Sequence, residues 1–448
     1  MKEVKYNVRQ KERKMKRWIE HKLIEWKDSD RRKPLILRGA RQVGKTWSIK
    51  KLGADYFENT VHMDLEKNRT FHSLFEDNLD PKIIVQSIEV LLKTKITPGK
   101  TLLFIDEIQS CPRAIMALRY FFEEMPQLHL IAAGSLLDFA LSEISFPVGR
   151  IQYLHMAPMT FSEYLMATGN QRGAEIIQLK PQKLPPPIHL SLLRDLKTYF
   201  FVGGMPESVK YFSETGSVAE SLKIHEELVH SFRDDFAKYG SHSNRDCLEE
   251  VFINTSKNIG NQLVYSGLSN TFSHPTIKKA FDLLVKARVI KKVESVGKLE
   301  LPLDVQSSTK KLKAIMLDIG IWQQLSGISI ANAMAESDVM NIYRGALAEQ
   351  FVGQELTAST GENLFYWARA NRGSSAEVDY IVSVNGKIYP IEVKSGSSGS
   401  LKSLHLALKT FPASPGGIVF STREYGEIPE QKLTFLPLYY AGHFTNSL

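Results

Sequence analysis

Cysteine is nearly missing from the 448-residue chain, which has two, Cys111 and Cys247. Two thiols cannot build a disulfide framework or a CxxC zinc site, so those scaffolds are excluded and a reducing cytoplasm is the expected location. Glycine (28) and proline (19) are too sparse for a collagen-like or low-complexity chain. No apolar run nears the roughly 20 residues a membrane span needs; the longest is Leu128–Leu137. The opening MKEVKYNVRQKERK lacks the apolar centre of a secretory signal, and no membrane contact is expected. What remains is ordinary globular composition, 43% hydrophobic and 24% charged, long enough for two to four domains.

Net charge is +8, which raises nucleic acid as a partner, but the excess is local. Residues 1–34 hold 13 Lys/Arg against 6 Asp/Glu, whereas the other 414 hold 44 against 43. Within that segment Met15, Trp18, Ile19, Leu23 and Trp26 recur at helical steps, so one stripe docks on a core while the basic residues face water. A solvated lead-in helix and an anion-binding patch are both compatible with that pattern.

Leu35–Leu37 is a short apolar run ending at Arg38, read as a buried strand. Gly39, Ala40, Arg41, Gln42, Val43, Gly44, Lys45 and Thr46 then match G-x-x-x-x-G-K-[ST], with Trp47 following. Glycines let such a loop aim its N–H groups at phosphate oxygens, and the next helix presents its positive end to the same anion. Lys45 is the counter-charge for the β- and γ-phosphates and Thr46 a Mg²⁺ ligand. Thr101–Ile105 is a second apolar strand, delivering Asp106 and Glu107 at its end. Asp106 is the second Mg²⁺ partner, and Glu107 is placed to polarise an attacking water. Strands at Val61–Asp64 and His129–Ala133 complete an alternating β/α order, with Ser135 at the edge where it can sense a γ-phosphate. Arg150 stands on the Phe146–Arg150 turn, either as a charge donor to a γ-phosphate (its own or a neighbour's) or as a surface ion pair.

GARQVGKT, LLFIDEIQ, AAGSLL, GRIQYLHMAPMTFSEYL and FVGGMPESV together resemble the prokaryotic AAA-type P-loop ATPases with an uncharacterised C-terminal domain. The resemblance implies an AAA-like core, Mg-ATP as ligand, and a C-terminal region related to restriction endonucleases. Two departures stand out. Ser135 occupies a sensor position where Asn is common, and no second sensor arginine can be placed, which leaves ring assembly open.

The breaker cluster Lys180–Pro187 precedes a helical pattern from His189 to Phe201, punctuated by Gly203-Gly204-Met205-Pro206. Between Asp246 and Val296, helix, helix and ribbon succeed one another as in a winged helix-turn-helix. Its second helix starts at Ser273 or His274 and offers Lys278 and Lys279 to phosphates, or serves only for protein packing.

Near the C-terminus, Asn385-Gly386 joins two strand-like runs, a two-residue type I′ hairpin signal. Val384 then faces Lys387, and counting outward sets Asp379 opposite Glu392 and Glu377 opposite Lys394, all on one face. Opposed carboxylates need a positive charge between them, and a divalent metal (Mg²⁺ or Mn²⁺) held by Asp379 and Glu392 with Lys394 beside it matches the PD-(D/E)xK nuclease motif. By resemblance alone, Glu349 on a helix from about Gly345 to Leu356 joins that site. A salt-bridge ladder is the plain alternative, and Pro390 implies an edge or bulge that would shift the count.

The expected organisation is α/β: a basic helix (1–34), an AAA-like P-loop NTPase core (35–175), a helical connector (176–240), a winged helix (241–330) and a restriction-endonuclease-like α/β domain (331–448). The expected function is Mg-dependent ATP hydrolysis coupled to DNA engagement, with or without nuclease activity. ATP or ADP, DNA, and a protein partner or second copy are the expected ligands.

Overall fold

A computed structural model describes residues 15–135, 137, 149–236, 242–327, 345–361, 363–369, 376–394 and 400–447. The first 14 residues of the basic segment, and residues 146–148 of the turn before Arg150, lie outside the described residues. The remainder of the segment forms α1 (Ile19–Asp28), which buries Ile19, Leu23 and Trp26 as its periodicity requires.

The front half alternates β1 (Leu35–Arg38), α2 (Lys45–Tyr56), β2 (Asn59–Asp64), α3 (Pro81–Leu92), β3 (Thr101–Asp106), α4 (Pro112–Glu124), β4 (His129–Gly134) and β5 (Gln152–His155). All neighbours pair in parallel, in the order β2-β3-β4-β1-β5. Side chains alternate between two cores: Leu35, Leu37 and Phe104 face one, Ile36, Leu103 and Ile105 the other. Burial on both faces explains why these strands read as continuous apolar runs. Because β4 separates β1 from β3, the loops after β1 and β3 open around a gap at the carboxyl edge, where α/β sheets bind ligands.

Helices follow: α5 (Phe161–Thr168), α6 (Gln171–Gln178), α7 (Pro186–Val202), α8 (Pro206–Thr215), α9 (Val218–Phe236), α10 (His242–Lys257) and α11 (His274–Lys286). Thr160 and Glu163 cap α5 reciprocally. Glu163 also pairs with Arg17 at 3.1 Å, both side chains almost fully buried. The same guanidinium donates to the carbonyls of Val43, at 2.8 Å, and Ala157, at 2.7 Å. One arginine just ahead of α1 thereby ties the phosphate loop to the strand exit.

The second sheet has eight strands: β6 (Ile290–Val296), β7 (Ser307–Met316), β8 (Leu364–Ala368), β9 (Glu377–Val384), β10 (Lys387–Val393), β11 (Gly417–Ser421), β12 (Gly426–Ile428) and β13 (Leu433–Pro437). Helices α12 (Ile319–Ser326), α13 (Ala346–Thr360) and α14 (Lys402–Thr410) belong to this half. The order β12-β13-β11-β10-β9-β8-β6-β7 makes the β6–β7 ribbon part of the C-terminal sheet, through parallel pairing of β6 with β8. A ribbon edge left unpaired would be a liability, and β8 covers it. The sheet therefore takes strands from both sides of residue 330.

The hairpin register is the one counted from the turn: Val384 pairs with Lys387 and Ile381 with Pro390. Asn385 and Gly386 have φ of 50° and 74°, as a type I′ turn demands. Pro390 causes no bulge. Alternation places it at a non-hydrogen-bonded site facing β9, and pairing with β11 begins only at Ile391, so its missing N–H leaves no ladder bond unmade.

Among the described residues, no helix is long and apolar enough to cross a membrane. Glu163→Ala should cost about 3–5 kcal/mol in denaturant unfolding, the usual result of stranding one partner of a buried ion pair; a loss below about 1 kcal/mol would mean that Arg17 finds another acceptor.

Candidate functional site

Gly44, at φ 98°, is the left-handed residue that turns the loop into α2. Lys45 is buried, its ammonium folded back on the carbonyls of Gly39, at 2.9 Å, and Ala40, at 2.8 Å. Burial pulls its pKa down to about 8, against the opposing pull of Glu107 and Asp106, while Arg288 and Arg41 add to the lowering. An incoming triphosphate would offer this ammonium anionic oxygens in place of neutral carbonyls.

Thr46 Oγ1 donates to Asp106 Oδ2 at 2.8 Å, so the two expected Mg²⁺ ligands meet although 60 residues apart. His62 Nε2 lies 3.4 Å from the same oxygen. Burial works to raise the Asp106 carboxyl, but the nearby His62 ring and hydrogen bonds from Thr46 and the Glu107 N–H outweigh it and hold the group below its ordinary value. A hydroxyl and an ionised carboxylate beside a cavity of about 840 Å³ are hard oxygen donors suited to Mg²⁺. Glu107, at a left-handed φ of 47°, receives the Gln109 amide at 2.5 Å, with Ser135 Oγ at 3.5 Å. Lys45, Thr46, Asp106, Glu107 and Ser135 thus converge. Trp47 follows in the first turn of α2 and is 43% exposed. Arg41 leaves the loop to pair with Asp235 of α9 at 2.6 Å, and Gln42 holds φ at 63°.

Arg150 is not brought to this site. It precedes β5, at the amino edge of a parallel sheet whose phosphate loop is at the carboxyl edge, and it pairs with Glu123 at 3.1 Å. The surface ion pair is the alternative seen, and one strand length separates Arg150 from the chain's own phosphate loop.

In the C-terminal half, Asp379, Glu392, Lys394 and Glu349 also converge, but a residue outside the motif organises them. Lys313 of β7, buried over the Tyr366 ring, contacts Glu349 at 3.2 Å, Asp379 at 3.4 Å, and Glu377 more closely still. Burial opposes its charge, yet Glu349, Asp379 and Glu377 hold its pKa well above the ordinary lysine value. Lys394 pairs with Glu392 at 2.6 Å, and the Val393 N–H donates to Asp379 Oδ2 at 2.8 Å. Burial first, then the Asp379 charge, push Glu392 up to about 7 and Glu349 well above the carboxylate range. Each of the opposed carboxylates therefore has its own ammonium, Lys313 beside Asp379 and Lys394 beside Glu392. Among the described residues, no group of three or more His, Cys, Asp or Glu side chains is arranged to hold a metal, so nothing in this arrangement supports the metal expected at Glu349, Asp379 and Glu392. Of the salt-bridge ladder that was the alternative, with Lys394 bonded to both Glu377 and Glu392, the Glu392 rung is present, whereas Glu377 goes to Lys313 and Gln262. Sequence carried no signal for Lys313, whose side chain reaches this cluster only through strand order.

Between the two sites runs a buried polar seam. The Phe161 N–H, at the start of α5, donates to Glu355 of α13 at 2.9 Å. Asp318 accepts from the Gly204 N–H at 2.6 Å, and Gln354 donates to Tyr199 Oη at 2.8 Å. Burial raises Glu355 to about 8 and Asp318 to about 6. Gly204 is required because a Cβ there would strike the Met159 backbone. The FVGGMP string held the only hint, a glycine pair just before a helix.

Residues 31–165 match a family model described as an AAA domain. Residues 193–331 and 344–440 match two models, each described as a domain of unknown function. No curated protein matches. Among solved structures, the RuvB Holliday junction branch migration motor of Thermotoga maritima is 16% identical, covering 61% of this chain and 87% of that one at a TM-score of 0.31. PCH-2 of C. elegans is 15% identical, covering 45% and 62% at 0.26. The matched front segment and its phosphate loop define an AAA-type P-loop ATPase domain.

Lys313→Met should destabilise by about 3–5 kcal/mol at neutral pH by leaving buried carboxylates without their cation. Carboxyls with native pKa values raised above the unfolded value of about 4.3 take up protons on folding, so the variant should regain stability as pH falls from 7 toward 5. A melting temperature that declines over that interval would contradict the arrangement.

Proposed function

We propose that the chain is a Mg-dependent ATPase whose nucleotide state governs DNA engagement by its second half. ATP sits on the Gly39–Thr46 amides, with Lys45 leaving its carbonyl partners for the phosphates. Mg²⁺, held by Thr46 and Asp106, would neutralise charge on the β- and γ-phosphate oxygens. Glu107 takes the proton of the attacking water, oriented by Gln109, while Ser135 senses whether a γ-phosphate is present.

The buried seam is the observation that supports coupling. A shift of the Met156–Thr160 exit beside the phosphate loop cannot leave α13 unmoved while Phe161 and Glu355 stay bonded, and α13 also carries Glu349. DNA engagement is supported by Lys278 and Lys279, both exposed on α11, contacting backbone phosphates without reading bases. With Lys313 seated among the carboxylates, the switch form that binds without cutting is favoured over a nuclease.

Lys45→Ala should weaken ATP binding at least about tenfold, or 1.4 kcal/mol, by calorimetry. Glu107→Gln should keep binding and lose roughly 10²–10⁴ in turnover. Unchanged affinity in the first variant would refute the site assignment. Supercoiled plasmid incubated with the protein, ATP and Mg²⁺ or Mn²⁺ should stay intact; nicking that disappears with Lys394→Ala would restore the nuclease reading.

A further inference from the structure

A second cavity, about 1660 Å³, runs between α11 and β6 on one side and α1, β5 and α13 on the other. Eight Lys/Arg against five Asp/Glu line it. Two of each pair with one another, Glu163 with Arg17 and Glu294 with Lys292, which leaves six Lys/Arg against three Asp/Glu. Lys278, Lys279 and Lys286 are exposed along its wall and form no ion pair among the described residues. Its inner end reaches Gly39 and Ala40, the residues whose carbonyls hold Lys45. There Arg288, at φ 63° in the turn after α11, brings Nη1 to 3.4 Å from His155 Nδ1. The next residue, Met156, abuts Gly39 so closely that a Cβ on that glycine would strike its carbonyl oxygen.

We propose that this cleft seats the phosphodiester backbone of a nucleic acid and that the Arg288 turn reports its occupancy to the phosphate loop. The inference rests on the ATPase and DNA reading above and names the surface and the signal. Charge spacing favours a nucleic acid over an acidic protein. Lys278 and Lys286 are eight residues apart on one helix, about 12 Å at 1.5 Å per residue. A strand with one charge per about 3.4 Å of axis satisfies such a pair in any register, whereas a folded acidic protein must place each carboxylate individually. An anion entering the cleft moves the Arg288 charge relative to Lys45, and that cation is the one the triphosphate must recruit.

The test uses the full chain with a fluorescein-labelled duplex and its matching single strand, titrated over a salt series. Lys278→Glu/Lys279→Glu/Lys286→Glu should lose at least about tenfold in affinity and flatten the log–log salt slope by about 2 to 3. The Lys→Gln triple, which avoids charge reversal, should show the same direction with an unchanged melting temperature. Arg288→Ala should bind within a few-fold of wild type yet lose stimulation of ATP turnover by the oligonucleotide. Wild-type affinity in both triple variants overturns the cleft and removes Lys278 and Lys279 as the DNA contacts, while DNA binding by the chain itself stands. Oligonucleotide binding absent from wild-type protein that still hydrolyses ATP overturns both. Displacement by polyglutamate as effective as by unlabelled oligonucleotide would make the ligand an acidic protein, and full stimulation in Arg288→Ala would remove the signalling step.

Discussion

The segment from Met156 to Glu163 is bonded on both flanks, and this double attachment constrains everything around it. Its carbonyl at Met156 crowds Gly39, its Ala157 carbonyl takes Arg17, and Met159 exchanges bonds with Gly204 and Tyr199. At its end the Phe161 N–H goes to Glu355 and the Glu163 carboxylate returns to Arg17. Orphan amides at a helix start normally find water or a local cap. Here one of them is satisfied by a side chain 194 residues away, which ties the start of α5 directly to the C-terminal half.

Two buried lysines show how partner choice decides what a charge can do. Lys45 leans on neutral carbonyls and its pKa falls to about 8; Lys313 has three carboxylates and is held well above the ordinary value. Neutral partners are easily exchanged for phosphate oxygens, which suits the exchange proposed for Lys45. Removing the ammonium from beside buried Asp379 and half-buried Glu349 and Glu377 would strand charge in low dielectric, so Lys313 is a fixed strut. The same electrostatics makes one site responsive and the other static.

The cleft beside α11 gives the connection between halves a direction. Helix α11 leads through Arg288 into β6, and β6 is the strand that joins the ribbon to the C-terminal sheet. Side chains that line a surface groove and a turn that touches the phosphate-loop strand therefore lie on one continuous stretch of chain.

Sequence by itself determined the pieces whose chemistry is local. The phosphate loop, the strand ending in Asp106, the α1 stripe and the Asn385-Gly386 hairpin were legible because turn geometry and periodicity act over a few residues. Even the opposition of Asp379 and Glu392 followed from a two-residue turn that leaves no freedom of register. Tertiary structure alone decided which edge of the sheet Arg150 occupies and that the β6–β7 ribbon continues into the second sheet. It alone put the Lys313 ammonium among the C-terminal carboxylates and bonded Glu355 to Phe161. Those contacts join residues 36 to 194 positions apart, at distances set by strand order and helix packing, and no local pattern of residue types encodes them.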